Sequence, residues 1–139
     1  SVHGNFQPQH VDLARQRDPR VRILVHPECV FQVVEKADLV GSTDFIIRSV
    51  EASPPGSSWA IGTEHHLVAR LAARHPDKDI RTLSPFACQC STMYRIDPVD
   101  LMRTLEGIPQ GDLRWPIHVE PRVAEQARVA LERMLAIPA

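Results

Sequence analysis

The sequence lacks an excess of charge of either sign: sixteen Lys and Arg stand against seventeen Asp and Glu, a formal net charge of −1. Nucleic-acid domains usually carry a marked basic excess, so a polyanion is not the default partner. No apolar run approaches the roughly 18 residues of a spanning helix, which argues against a membrane protein. Cysteine is scarce and odd in number, three in 139 residues. A secreted disulfide framework prefers even counts, so the expected setting is a reducing, cytoplasmic one. The close pair in Cys88-Gln89-Cys90 raises metal binding or thiol reactivity instead. The opening Ser1-Val2-His3-Gly4-Asn5-Phe6 has no initiator Met, and it has neither the basic nor the apolar region of a signal peptide. The expectation is a chain cut from something longer.

What is present is an ordinary globular balance, 43% hydrophobic and 24% charged residues, over about one domain's length. Aliphatic residues recur at helix and strand periods, which excludes the disordered class. Short β-branched runs alternate with amphipathic stretches. A helix is predicted from Pro8 to about Gln16, broken by Asp18-Pro19. Strands are predicted at Val21–Val25, Asp38–Val40, Trp59–Gly62 and Ile80–Leu83. The helices between them are Cys29–Lys36, one opening at Gly41-Ser42-Thr43 with Ile46, Ile47 and Val50 on one face, and one capped by Thr63 with Leu67, Val68, Leu71 and Ala72 inward. The Ser53–Ser58 stretch is a loop by composition and a possible internal boundary, near 53–58. Asp97-Pro98 starts a helix that stops at Gly107. A last strand is predicted at Ile117-His118-Val119. A final helix opens at Glu120-Pro121, with Val123, Ala127, Leu131 and Met134 inward.

Alternation of this kind means βαβ units, an α/β fold with a parallel sheet between helices. Ligands of such sheets gather beyond the carboxyl ends of the strands, which directs attention to the residues after each strand. His26-Pro27-Glu28-Cys29 sets an imidazole, a carboxylate and a thiol on a turn stiffened by Pro27. It reads either as a binding or acid–base pair or as a helix-start Glu beside a partly buried His. Gly41-Ser42-Thr43 offers hydroxyls at a helix start, for capping or for an anion. Gly62-Thr63-Glu64 has the same form, and capping is the reading kept there, because Glu64 would repel an anion. Cys88-x-Cys90 with Met93 is a weak metal signal. Zinc would need more ligands, which Cys29 and His26 could supply; otherwise one Cys is buried and the other a bystander. His65, His66 and His75 read as solvated, as do Arg70, Arg74, Lys78 and Arg81, which have no interleaved aromatics.

Taken in order, Val25-His26-Pro27-Glu28-Cys29, Ala37-Asp38-Leu39-Val40-Gly41-Ser42-Thr43, Trp59-Ala60-Ile61-Gly62-Thr63-Glu64, Pro76-Asp77-Lys78 and Cys90-Ser91-Thr92-Met93 resemble the quinolinate synthase family. The resemblance runs from Val2-His3 to Met134-Leu135 and corresponds to the C-terminal portion of the family's chain. It implies three-layer αβα units with short parallel sheets around a central site. It implies a [4Fe–4S] cluster held by three Cys, of which Cys90, in its C-x-x-M pattern, is the one in this sequence. A second ligand would fall just upstream of Ser1, and the first lies further upstream. Cys29 and Cys88 match no ligand of the family.

The implied reaction condenses iminosuccinate, supplied by L-aspartate oxidase, with dihydroxyacetone phosphate to give quinolinate, for de novo NAD synthesis. The resemblance places the substrate on His26, Pro27, Glu28 and Thr43 with Ser42 beside them, and gives Glu28 and His26 the acid–base work. It also implies that the fragment needs the missing N-terminal part of the same protein and is inactive alone. His26, Glu28 and Thr43 are expected at one carboxyl edge of the sheet, facing a common cleft. The alternative is a non-catalytic α/β module binding a small anion, or zinc through Cys29, Cys88 and Cys90.

Overall fold

In the computed structural model, which describes residues 2–86 and 89–137, four short strands form one parallel sheet. They are β1 (Arg22–Val25), β2 (Leu39–Val40), β3 (Ser58–Gly62) and β4 (Asp79–Thr82), in the order β2-β1-β3-β4. Leu24 pairs with Leu39 on one side of β1 and with Ile61 on the other, and Trp59 pairs with Ile80. Strands covered on both faces read as continuous apolar runs. Ile23, Leu24 and Val25 are accordingly all fully buried, as are Trp59, Ala60 and Ile61.

Four helices cover the two faces. On one lie α1 (Pro8–Arg17) and α2 (Phe31–Lys36), where Phe6, Val11, Ala14 and Val33 pack with Ile23, Val25 and Ala60. On the other lie α3 (Thr43–Glu51) and α4 (His65–Arg74), where Ile46, Val50, Val68 and Leu71 pack with Leu24, Trp59 and Ile61. Successive strand residues point to opposite faces, so Ile23 and Val25 serve one layer and Leu24 the other. This is the expected three-layer αβα arrangement.

Local chemistry sets the helix starts. Pro8 stands in the first turn of α1, and Gln7 with His10 forms a reciprocal cap. The Ser42 hydroxyl accepts from the Phe45 N–H and starts α3. Two starts differ from expectation. α2 begins at Phe31 and not Cys29, because the Cys29 N–H closes a turn onto the His26 carbonyl. The cap of α4 is Glu64, whose carboxylate accepts from the His66 N–H; Thr63 is turned elsewhere and buried.

The chain divides after Arg95 into two units; the 53–58 loop lies within the first, between α3 and β3. The second unit holds α5 (Pro98–Gly107) and α6 (Pro121–Leu135). Asp97 caps α5 through the Val99 N–H, and Glu120 caps α6 through Arg122 and Val123. Residues 117–119 do not form the predicted strand; they join no ladder. Nor are Val123, Ala127, Leu131 and Met134 inward: all four are exposed. Their helical spacing defines a stripe on α6, and no described residue of this unit buries it. Among the described residues, no helix is long and apolar enough to cross a membrane.

Candidate active site

The strand order reverses direction between β1 and β3, so the turns that leave these two strands diverge and open a crevice, the usual ligand position in such sheets. Val25 pairs with Gly62 at this edge. The His26 N–H donates to the Gly62 carbonyl at 3.1 Å, and the Cys29 thiol donates to the same oxygen at 3.4 Å. A side chain at 62 would stand 2.9 Å from Val25 Cγ1, so this close approach requires glycine. The HPE turn is thereby tied to the end of β3.

His3 enters this edge from the turn preceding α1 and joins the two strand ends. Its Nδ1 lies 3.1 Å from Glu28 Oε2, and its Nε2 lies 3.3 Å from Thr63 Oγ1. A carboxylate only accepts, so Nδ1–H donates to Glu28 and the bare Nε2 accepts from the Thr63 hydroxyl. The His3 and His26 rings stack at 4.3 Å with 12° between planes. Glu28 remains open to solvent, with 66% of its side chain exposed, whereas His3 is 16% exposed. Burial, together with the neighbouring His3, lowers the His26 pKa below its ordinary value, against an opposing pull from Glu28. His26 is thus held neutral near pH 7. Its Nδ1 accepts the Glu28 N–H at 3.2 Å, so the other nitrogen carries the hydrogen and is a donor.

A cleft of about 500 Å³ is lined by His3, Thr43, Thr63, Glu64, His66 and Arg70, among others. Glu64 is nearly buried, and despite that burial its pKa is lowered, by hydrogen bonds and charge from His66. Its Oε1 lies 2.8 Å from His66 Nδ1. Cys90 is close enough to this region for the Glu64 charge to oppose its ionisation. The backbone N–H groups of Met93 and Thr92 outweigh that opposition and lower the thiol's pKa from the ordinary value. These donors favour the thiolate form of Cys90 relative to a free cysteine.

Of the expected site residues, His26, Pro27 and Glu28 follow β1, and Ser42 and Thr43 follow β2, all at the carboxyl edge. Thr43 lines the cleft directly. His26 and Glu28 reach it through His3. The Ser42 hydroxyl is occupied in capping α3. Cys29 is buried with its thiol on a backbone carbonyl. Cys88 lies outside the described residues. Among the described residues, the one group of three side chains arranged to hold a metal is His3, His26 and Glu28, with no cysteine in it.

Sequence reasoning missed His3, Thr63, Glu64 and His66 as parts of one site. Thr63 and Glu64 had a signal, since they follow a strand directly, but capping explained them too readily. His3 had none of its own: nothing local says that an N-terminal turn will reach the ends of two strands.

Residues 1–136 match the family model described as "Quinolinate synthetase A protein". Curated proteins named quinolinate synthase are similar over 99% of this chain. The one from Nocardioides sp. (strain ATCC BAA-499 / JS614) is 55% identical, with 35% of its own length covered. That from Herpetosiphon aurantiacus is 48% identical, with 36% covered, and that from Rhodopirellula baltica 49%, with 35% covered. The chain thus spans about a third of the length of the curated relatives it matches.

Proposed function

Because the chain belongs to the quinolinate synthetase A family, we propose that it is part of a quinolinate synthase, a cytoplasmic transferase of NAD biosynthesis. Its substrates are iminosuccinate, the product of L-aspartate oxidation, and dihydroxyacetone phosphate. The observation that carries the reading is the joining of His3, His26, Glu28 and Thr63 at the sheet's switch point. A dicarboxylate condensing with a carbonyl compound needs a base, a neutral donor and a hydroxyl contact; Glu28, His26 and Thr43 offer these, and Thr63 holds His3 behind them.

The roles follow from the geometry. Glu28, accessible and held by His3, takes up and returns protons during condensation and dehydration. Neutral His26 donates from its free nitrogen to a substrate oxygen. Both groups stand on one turn, so a proton acceptor and a hydrogen-bond donor face the same bound substrate. The buried Thr63 hydroxyl fixes the His3 ring, and His3 in turn fixes the Glu28 carboxylate. Thr43, at the start of α3, offers a hydroxyl to an anionic substrate group.

Cys90 fits the role of one [4Fe–4S] ligand: it is accessible, and backbone N–H groups stabilise its thiolate. The cluster, when bound, would supply Lewis acidity for loss of water. Holding it requires thiolates from several segments. By the family resemblance the other two ligands fall outside this sequence, and Cys29, which is buried, matches neither.

The test is anaerobic quinolinate formation by the full-length protein. Glu28→Gln is expected to keep the brown colour and to lower turnover by about 100-fold or more. Cys90→Ser should abolish the colour, and Cys88→Ser should leave it. The 139-residue chain alone should show no synthase activity and retain no cluster after reconstitution with iron and sulfide. Undiminished turnover in Glu28→Gln, or an intact cluster in Cys90→Ser, sinks the assignment.

A further inference from the structure

His3, His26 and Glu28 each offer one ligand atom, and these atoms lie within 4.8 Å of one another. Two imidazoles and one carboxylate form the donor set that zinc takes in open sites, where a fourth position is left for water or substrate. The three residues come from two segments, the N-terminal turn and the turn after β1. Their convergence is therefore a product of the fold and not of local sequence.

The surrounding contacts suit this use. Metal-ligating imidazoles keep their second nitrogen on a hydrogen-bond partner, which fixes the ring and the tautomer. His3 has such a partner in Thr63 Oγ1. If His3 exchanges tautomer, its Nδ1 lone pair is released toward a metal while Nε2–H donates to the Thr63 hydroxyl. No proton is lost in that exchange, and at His26 the lone pair available without proton loss is that of Nδ1, which ligation takes from the Glu28 N–H now 3.2 Å away. The carboxylate 3.1 Å from His3 Nδ1 then becomes a co-ligand where it had been an acceptor. Zinc–ligand distances of about 2.0–2.2 Å require ligand atoms somewhat closer together than 4.8 Å. The exposed Glu28 side chain adjusts its carboxylate, and the stacked His3 and His26 rings turn out of their parallel planes, since an imidazole lone pair lies in the ring plane.

The geometry assigns a divalent zinc-type site to His3, His26 and Glu28, with its open position toward solvent and the cleft. It goes beyond the synthase reading and uses the same residues, so metal and dicarboxylate substrate exclude one another. It differs from the zinc set of Cys29, Cys88 and Cys90 named above, since none of its ligands is a thiol.

The experiment titrates the full-length, cluster-loaded protein with Zn²⁺ anaerobically against a chromophoric chelator. One Zn²⁺ per chain is expected at micromolar free metal. His3→Gln, His26→Asn and Glu28→Gln should each weaken it by at least about tenfold, and Thr63→Val by about 10–100-fold through the lost ring contact. Cys29→Ser should leave it unchanged. Circular dichroism of each variant checks that the fold is retained; for any that fails, Glu28→Gln, altered at an exposed side chain, decides. Absence of stoichiometric Zn²⁺ binding, or binding indifferent to His3, His26 and Glu28, overturns the proposal. Neither readout uses synthase activity, so the two readings fail separately. If the synthase reading holds, Zn²⁺ should inhibit competitively with the dicarboxylate.

Discussion

The two units of this chain fold on different terms. In the first, every strand is flanked by helices, and nine large side chains from Phe6 to Trp59 are shielded completely. In the second, Gly107 is the one buried residue among those described, and Leu101, Leu105, Leu131 and Met134 are each half exposed or more. The second unit's helices rest on capping and local propensity, with Asp97-Pro98 and Glu120-Pro121 as start signals. Amphipathic periodicity alone therefore does not make a core; a partner surface does.

The largest expected break in this comparison comes from matched truncations. Trp59→Ala removes a fully buried side chain with Arg22 over its ring at 4.6 Å and should cost about 3–5 kcal/mol. Leu131→Ala, on the exposed stripe of α6, should stay within about 0.5 kcal/mol. Urea midpoints of the two variants check this; equal losses would show that α6 is as deeply packed as the sheet.

Gly62→Ala should come next. The added methyl meets Val25 at 2.9 Å, and crowding of this kind costs about 1–3 kcal/mol. It should also disturb the site, because the Gly62 carbonyl holds both His26 and Cys29. Resonance shifts of His26 without loss of the sheet would be the signature. Asp97→Ala should cost about 1 kcal/mol, read as fraying of α5 in amide exchange and confined to the second unit.

The smallest effect is a pH dependence at the site. Since the folded state holds His26 below its ordinary pKa of 6.5, the unfolded chain binds more protons around and below that pH. The associated stability is complete above pH 6.5 and fades as pH falls through the lower folded value. An NMR titration of His26 should show a midpoint below 6.5. Glu28→Gln should move it further down, since Glu28 pulls it up. A midpoint at or above 6.5 would mean that the His3 stack does not persist.

The sequence by itself determined the α/β class, the four strands, the helices between them and the start signals at Pro8, Ser42 and Asp97. These are set by short-range periodicity and by hydrogen bonds within three or four residues. It also pointed to the turns after β1 and β2, because in a parallel sheet every strand's carboxyl end lies on one edge. Only the tertiary structure decided that Thr63 turns away from capping to hold His3, and that His3 spans Glu28 and the end of β3. It alone decided that residues 117–119 pair with nothing and that the α6 stripe stays open. Each of those outcomes depends on which distant group comes within reach, and helical or strand period carries no information about distance across the fold.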